Sequence, residues 1–138
     1  RRTILAVGDS FTFGAEVSND ETWPSCMQQK SGLGVANAGV YGYGPAQALR
    51  RAQLELKKNK YSELILSVLV TDEEFERDLL QYKDGLPKPA LIKNESNISW
   101  SDMPDTNGLG TIYNPQQPNK KTCRLLLHPP AYPRRRVQ

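Results

Sequence analysis

The sequence has few of the residues that bind metals or span membranes. It contains one histidine, His128, and two cysteines, Cys26 and Cys123, in 138 residues. No CxxC or Cys/His cluster is present, so no metal site is predicted, and two free thiols are favoured over a disulfide. No run approaches the roughly 20 apolar residues of a membrane span. Arg1 and Arg2 are followed at once by a strand-like run, which predicts no signal peptide and leaves the compartment open.

Net positive charge is confined to the C-terminal end. The net charge of +3 combines a net of −3 over residues 1–118, from 12 Lys and Arg and 15 Asp and Glu, with +6 over residues 119–138, which hold no acid. A basic excess confined to a tail, with three consecutive arginines and no interleaved aromatics, is weak evidence for nucleic-acid binding. We therefore predict no nucleic-acid partner, and the oligomeric state stays open.

Proline is scarce in the first 86 residues. Only Pro24 and Pro45 lie there, whereas eight prolines follow. Because proline interrupts helices and central strands, the first part is predicted to be regular structure. We divide the chain into an α/β core (1–86), a Pro- and Asn-rich loop or insertion (87–118) and a basic, Pro-rich tail (119–138).

The first part alternates apolar strand patterns with helical ones. Strands are predicted at 3–7, 34–38 and 64–70, and helices at about 21–31, 45–59 and 73–83. The expected N-caps are Asn19 or Asp20 for the first helix and Asp72 for the third, and Pro45 begins the second. This order predicts a three-layer α/β/α fold with a parallel sheet, of flavodoxin-like type, whose C-terminal part is incomplete or irregular.

The segments that follow the predicted strands are 8–10, 39–42 and 71–72. In parallel sheets the active crevice lies beyond the carboxyl ends of the strands, so these segments are expected at one edge. Ser10 is a candidate nucleophile there, since the preceding Gly-Asp lets the chain turn and expose the serine. The alternative is that Ser10 only caps a helix or turn.

Longer strings around these segments are more specific. They are GDSFTFG at 8–14, ETWP at 21–24 and NAGVYGYGP at 37–45. Their order and spacing resemble the SGNH (GDSL-type) hydrolases over about residues 3–80. The resemblance implies a lipase-like serine esterase or acyl hydrolase that cleaves a small ester or the O-acetyl group of a carbohydrate. It implies no metal and no organic cofactor.

The resemblance also implies roles for single residues. Ser10 matches the nucleophile, and its N–H is one oxyanion donor. Gly42 matches the second donor, with Gly39 as the other register. Thr71 stands where the family has asparagine, so a hydroxyl is the implied third donor. Two acidic residues beside these positions are expected to support the site: Asp9 and Asp72.

The catalytic base is the weakest part of the match. The family's last block, Asp-x-x-His, is absent from this sequence, and Leu125 stands three residues before His128. His128 is an incidental tail residue, a displaced base or a contact to something else. The sequence thus predicts an esterase that is truncated or impaired. A non-catalytic remnant or ligand-binding module of the same fold is the alternative.

Overall fold

A three-stranded parallel sheet is the centre of residues 2–102, the part of the chain that the computed structural model describes. Its strands are β1 (Thr3–Val7), β2 (Gly34–Asn37) and β3 (Glu63–Leu66), in the order β2-β1-β3. All pairings are parallel, and Ile4 of β1 is in register with Val35 and Glu63. The prediction of an α/β architecture with a parallel sheet is confirmed.

Helices connect and follow these strands. They are α1 (Ser10–Phe13), α2 (Trp23–Ser31), α3 (Pro45–Lys58) and α4 (Asp72–Glu76), with 3-10 turns at Asn19–Glu21 and Arg77–Leu79. Two antiparallel hairpins come next. Their strands are β4 (Tyr82–Lys83) with β5 (Leu86–Pro87), and β6 (Leu91–Asn94) with β7 (Asn97–Trp100). The division of the chain at residue 86 stays a prediction.

The core is built around β1. Ile4, Leu5, Ala6 and Val7 are each at most 1% exposed, as expected of a central strand covered on both faces. Leu5 and Val7 pack with Ala52 of α3. The chain crosses from β1 to β2 in one direction and from β2 to β3 in the other. Right-handed crossovers therefore place α2 and α3 on opposite faces of the sheet, which gives three layers.

The start of α2 differs from the sequence-based expectation. Thr22 caps the helix by accepting a hydrogen bond from the Ser25 N–H, at 3.4 Å. The predicted caps, Asn19 and Asp20, lie in the preceding 3-10 turn instead. The helix ends at Gly32, as predicted, where φ of +71° suits a residue without a side chain.

Cys26 lies on the buried side of α2, with 6% of its surface exposed. It is disulfide-bonded, so the prediction of a free thiol at this position is wrong. Residue order along a chain says little about which sulfur atoms come close in space, and the sequence could not supply that distance. Cys123 lies outside the described residues.

The second helix, α3, begins at Pro45, as predicted, but takes its cap from a distant residue. Gly44 precedes it and has no side chain to accept a hydrogen bond. The carboxylate of Asp78 accepts from the N–H groups of Ala46 (2.9 Å) and Gln47 (2.8 Å) instead. Asp78 is 4% exposed, so this cap is buried.

Replacing Asp78 by alanine is expected to lower the free energy of unfolding by about 2 kcal/mol, because two N–H donors of α3 lose their acceptor. Urea denaturation measures the change. Asp72→Ala is the matched control, since Asp72 is an exposed carboxylate in the first turn of α4, and it should change stability by less than about 0.5 kcal/mol. Equal losses in the two variants would contradict the capping role.

The third strand is shorter than predicted. β3 ends at Leu66 rather than at residue 70, because its partner β1 ends at Val7. One more hydrogen bond follows, from the Ser67 N–H to the Val7 carbonyl at 2.9 Å. Beyond it the chain leaves the sheet, and Val70 is 81% exposed.

The predicted helix over 73–83 is also wrong in its extent and its cap. α4 covers only Asp72–Glu76 and is followed by a 3-10 turn and β4. Its cap is Thr71, whose hydroxyl accepts from the Glu74 N–H at 3.3 Å, and Asp72 is the first helical residue. The apolar residues that the longer helix would have grouped are at least half exposed: Phe75, Leu79 and Tyr82.

Candidate active site

Ser10 lies at the carboxyl end of the central strand. It is the first residue of α1, directly after Asp9, whose carboxylate caps the helix by accepting from the Phe11 N–H at 2.9 Å. Asp9 is buried and Ser10 is half-buried. Within residues 2–102, the Ser10 hydroxyl makes no hydrogen bond to another residue. The fold therefore leaves this hydroxyl available for chemistry.

The helix that carries Ser10 packs directly on the ends of β1 and β2, and two glycines make room for it. A Cβ at Gly8 would lie 2.3 Å from Thr12 Oγ1, and one at Gly39 would lie 2.4 Å from the Phe13 nitrogen. Asn37 Nδ2 adds a hydrogen bond to the Thr12 carbonyl at 2.8 Å. The Gly-Asp-Ser and Asn-Ala-Gly strings thus form one packed unit.

The loop after β2 brings Tyr41 and Gly42 to the same edge. The Val40 N–H donates to the Gly8 carbonyl at 3.0 Å, which ties this loop to the end of β1. Tyr41 and Ser10 line one open cleft of about 400 Å³. The other lining residues are Phe11, Gly14, Ala15, Glu16 and Val17. The structure therefore brings two of the three predicted segments together at one cleft.

Two backbone N–H groups in the segments that follow β1 and β2 make no hydrogen bond within residues 2–102. In the described part of the chain, neither the Ser10 N–H nor the Gly42 N–H donates to a protein acceptor. Gly42 is buried and has a φ of +75°, a conformation that few residues other than glycine adopt. Buried N–H groups are nearly always paired, so the unpaired N–H of the buried Gly42 is a candidate donor to an added acceptor.

Thr71, the third predicted donor, lies away from the Ser10 cleft. It is exposed, and its hydroxyl caps α4. The residues directly after β3, which precede Thr71, line a second cleft of about 160 Å³ together with Asp9 and Phe11, the two neighbours of Ser10 in the chain. These residues are Ser67, Val68 and Leu69. Asp72 is exposed on α4 and is not among the residues of either cleft.

A hydrogen bond fixes one wall of the Ser10 cleft. Tyr41 Oη donates to Asp84 Oδ2 at 2.6 Å. This bond raises the pKa of the Tyr41 phenol and lowers the pKa of the Asp84 carboxyl. Asp84 lies in the turn between β4 and β5, with a φ of +49°. The hairpin therefore holds Tyr41 at the rim of the cleft.

Sequence reasoning missed a buried polar network behind Gly42. Lys88 is 2% exposed, and its ammonium donates to the carbonyls of Gly42 (2.7 Å) and Arg77 (2.6 Å) and to Gln47 Oε1 (3.1 Å). Lys88 lies between two prolines, which indicated a loop. A local signal was present only for Asp78: a helix that starts at Gly44-Pro45 has no side chain of its own to accept from its first N–H groups, so a distant acceptor was required.

The described part contains neither a candidate metal site nor a membrane-spanning helix. Residues 2–102 hold no group of His, Cys, Asp and Glu side chains that could bind a metal ion. Among the same residues, no helix has the length and apolarity required to cross a bilayer. His128 lies outside the described residues.

Comparisons with known proteins give partial matches. No family model and no curated protein matches the chain. One similar solved structure is a proposed lipolytic protein of the G-D-S-L family from Desulfitobacterium hafniense DCB-2, with 26% identity over 56% of this chain and a TM-score of 0.47. Another is AlinE4, a SGNH-hydrolase family esterase, with 30% identity over 49% of this chain and a TM-score of 0.43. The chain is similar to SGNH hydrolases.

The similarity covers only part of each molecule. The chain spans 48% of the D. hafniense protein and 39% of AlinE4. A variant of esterase AlinE4 gives 28% identity over 58% of this chain and 45% of that one, with a TM-score of 0.46. These SGNH hydrolases belong to the family that the residues themselves resemble, and the chain covers about half or less of each.

Proposed function

We propose that this chain carries the nucleophile and oxyanion donors of a serine ester hydrolase of SGNH type. The observation that carries the proposal is the Ser10 hydroxyl, which has no hydrogen-bond partner within residues 2–102 and lines an open cleft at the end of the central strand. The unpaired N–H groups of Ser10 and Gly42 support it, because an oxyanion next to Ser10 requires donors of this kind.

In the proposed reaction, the Ser10 hydroxyl gives its proton to a base while Oγ forms a bond to the acyl carbon, and the carbonyl π electron pair moves to oxygen; the base later gives that proton to the leaving alcohol. The N–H groups of Ser10 and Gly42 stabilise that oxyanion. Its collapse expels the alcohol, which leaves with a proton. Water then adds to the acyl carbon and releases the acid and Ser10. The sequence offers one histidine for these proton transfers, His128, and a His128→Ala variant decides whether it serves.

The remaining predicted site residues take lesser roles in this proposal. Thr71, predicted as the third donor, does not line the Ser10 cleft and caps α4 by accepting from the Glu74 N–H, so the proposal relies on the N–H groups of Ser10 and Gly42. Asp9 supports the nucleophile by capping the helix that carries it. Asp72 adds negative charge in the first turn of α4.

The cleft suggests a small acyl group. Its walls are small or apolar apart from Glu16 and the Tyr41 hydroxyl, which lies bound to Asp84. A cleft of about 400 Å³ is at the lower end of the range for small-molecule sites. We therefore propose a small ester as the substrate, including an O-acetylated carbohydrate. The hydroxyl groups of such a carbohydrate can donate hydrogen bonds to Glu16.

Phosphorylation by diethyl p-nitrophenyl phosphate tests the nucleophile directly. Ser10 Oγ should bond to phosphorus and expel p-nitrophenolate, and peptide mass spectrometry of the full chain should locate the diethylphosphoryl group on Ser10. Ser10→Ala should remove that adduct. Ser67→Ala is the matched control, because Ser67 is another half-buried serine at a strand exit, and it should keep the adduct. An unmodified Ser10 would overturn the proposal.

A second candidate is a ligand-binding module that keeps the cleft without the reaction. Thr71 favours it, since a shorter hydroxyl replaces the family's asparagine and is already used to cap α4. This candidate predicts that Ser10 stays unmodified while the cleft still binds a small ester or acetylated sugar. Isothermal titration with such a ligand, beside the phosphorylation assay, separates the two functions.

A further inference from the structure

Lys88 is a buried cation that the reaction proposed above does not use. Its side chain enters the protein between two prolines, and each of its three ammonium protons has an acceptor: the Gly42 carbonyl, the Arg77 carbonyl and Gln47 Oε1. Burying an ammonium group is costly unless its hydrogen bonds are satisfied. Here two of the three acceptors are backbone carbonyls.

The same network holds both ends of the short segment 42–44. Gln47 Oε1, which accepts from Lys88, also accepts from the Gly44 N–H at 2.9 Å, and Gln47 Nε2 donates to the Pro89 carbonyl at 2.5 Å. At the other end, the Gly42 carbonyl lies 2.7 Å from Lys88 Nζ. A glycine at φ of +75° has wide conformational freedom unless its peptide groups are held.

We propose that Lys88 is a positioning residue, which holds the Gly42 carbonyl and thereby keeps the Gly42 N–H in place beside Ser10. This inference rests on the function proposed above. Because φ and ψ of one residue join its two peptide planes, fixing the carbonyl limits the directions open to the N–H. The ammonium touches no substrate; it acts through the backbone of Gly42.

The charge on Lys88 can change within a usable pH range. Burial lowers the pKa of Lys88 from 10.5 to about 8, against the attraction of Asp78. Arg77 and Lys83 lower it further, and Glu74 raises it. A neutral amine keeps only two protons to donate, so one of its three hydrogen bonds is lost on titration.

NMR spectroscopy of the full chain reads this change at Gly42. The carbonyl ¹³C and amide ¹⁵N shifts of Gly42 should follow a transition near pH 8 in wild type, from the pKa of Lys88. Lys88→Met should lack the transition. Lys83→Met is the matched control, because the Lys83 stem packs against Gly42 and, within residues 2–102, Lys83 makes no hydrogen bond to that carbonyl. It should keep the transition and move it to higher pH, since the Lys83 charge lowers the pKa of Lys88.

Kinetics of p-nitrophenyl acetate hydrolysis give the second readout. Lys88→Met should lower the Ser10-dependent kcat about 10-fold or more, with KM changed less than about threefold, since a displaced oxyanion donor weakens transition-state binding rather than substrate binding. Lys83→Met should stay within about twofold of wild type. In wild type the contribution of the Lys88–Gly42 hydrogen bond to kcat should decline as pH rises through about 8.

Stability separates positioning from unfolding. The folded-state pKa of Lys88 lies below its unfolded value of 10.5, so the unfolded chain binds more protons between about pH 8 and pH 10.5. This group therefore makes wild type more stable relative to Lys88→Met as pH rises through that window. If the kcat of wild type falls over this pH range while its stability relative to Lys88→Met rises, unfolding does not explain the loss of activity.

Each outcome bears on one of the two proposals. If the chemical shifts of Gly42 in wild type show no transition near pH 8, the positioning role of Lys88 is overturned, even if Lys88→Met fails to fold. A normal kcat in folded Lys88→Met overturns the positioning role. A chain with no Ser10-dependent hydrolysis but a titrating Gly42 overturns the proposed function and supports the hold of Lys88 on the loop.

Discussion

Replacing Ser10 by alanine is expected to lower the turnover of p-nitrophenyl acetate by about 10³-fold or more, because the reaction loses its nucleophile. The fold should persist. Ser10 is half-buried, its side chain has no hydrogen-bond partner in residues 2–102, and alanine is well tolerated in a helix. The thermal midpoint should therefore shift by less than about 3 °C.

Release of p-nitrophenolate, corrected for spontaneous hydrolysis, measures this effect. Ser67→Ala serves as the control for removal of a nearby hydroxyl and should retain turnover within about threefold. His128→Ala belongs in the same series: a rate equal to wild type would remove His128 from the reaction. Equal rates for wild type and Ser10→Ala would show that Ser10 is not a nucleophile in this chain.

Adding one methyl group at Gly39 is expected to damage both stability and activity. The new Cβ of Gly39→Ala would lie 2.4 Å from the Phe13 nitrogen and 2.6 Å from the Thr12 carbonyl carbon. These are backbone atoms of the helix that carries Ser10, so the clash is relieved only if that helix or the 39–42 loop moves. We expect a loss of about 3 kcal/mol of unfolding free energy and about 10²-fold in turnover.

Gly32→Ala is the control for this prediction. Gly32 has a φ of +71° and open space around its Cα, so alanine there adds backbone strain of about 1 kcal/mol without moving the cleft. Urea denaturation and p-nitrophenyl acetate hydrolysis compare the two variants. Turnover reduced equally in both would mean that close packing at Gly39 does not position Ser10.

The parts of the fold that the sequence predicts well are those decided by local chemistry. The apolar run at 3–7 is buried on both faces and becomes β1. Pro45 begins a helix and Gly32 ends one, because their backbone preferences are local. The meeting of Ser10 with the 39–42 loop follows from the parallel sheet.

Features decided by distant partners were mispredicted or missed. Residues 67–70 have a strand-like composition, but β1 ends before them and offers no further pairing. The apolar pattern at 75–82 is helical in spacing, yet the chain turns into a hairpin there. Lys88 and Asp78 act on residues more than 30 positions away, and no local pattern reveals such partners.

The remote cap on α3 has a consequence for how the molecule opens. Because Asp78 caps the first turn of α3 and Lys88 holds the Gly42 carbonyl, detachment of the 77–90 segment would remove both sets of hydrogen bonds. We therefore expect the two regions to open together when this segment detaches, although they are far apart in sequence. A fluctuation that detaches this segment also releases the Gly42 loop. The fraction of molecules with an intact Gly42 loop therefore depends on the free energy of that local opening.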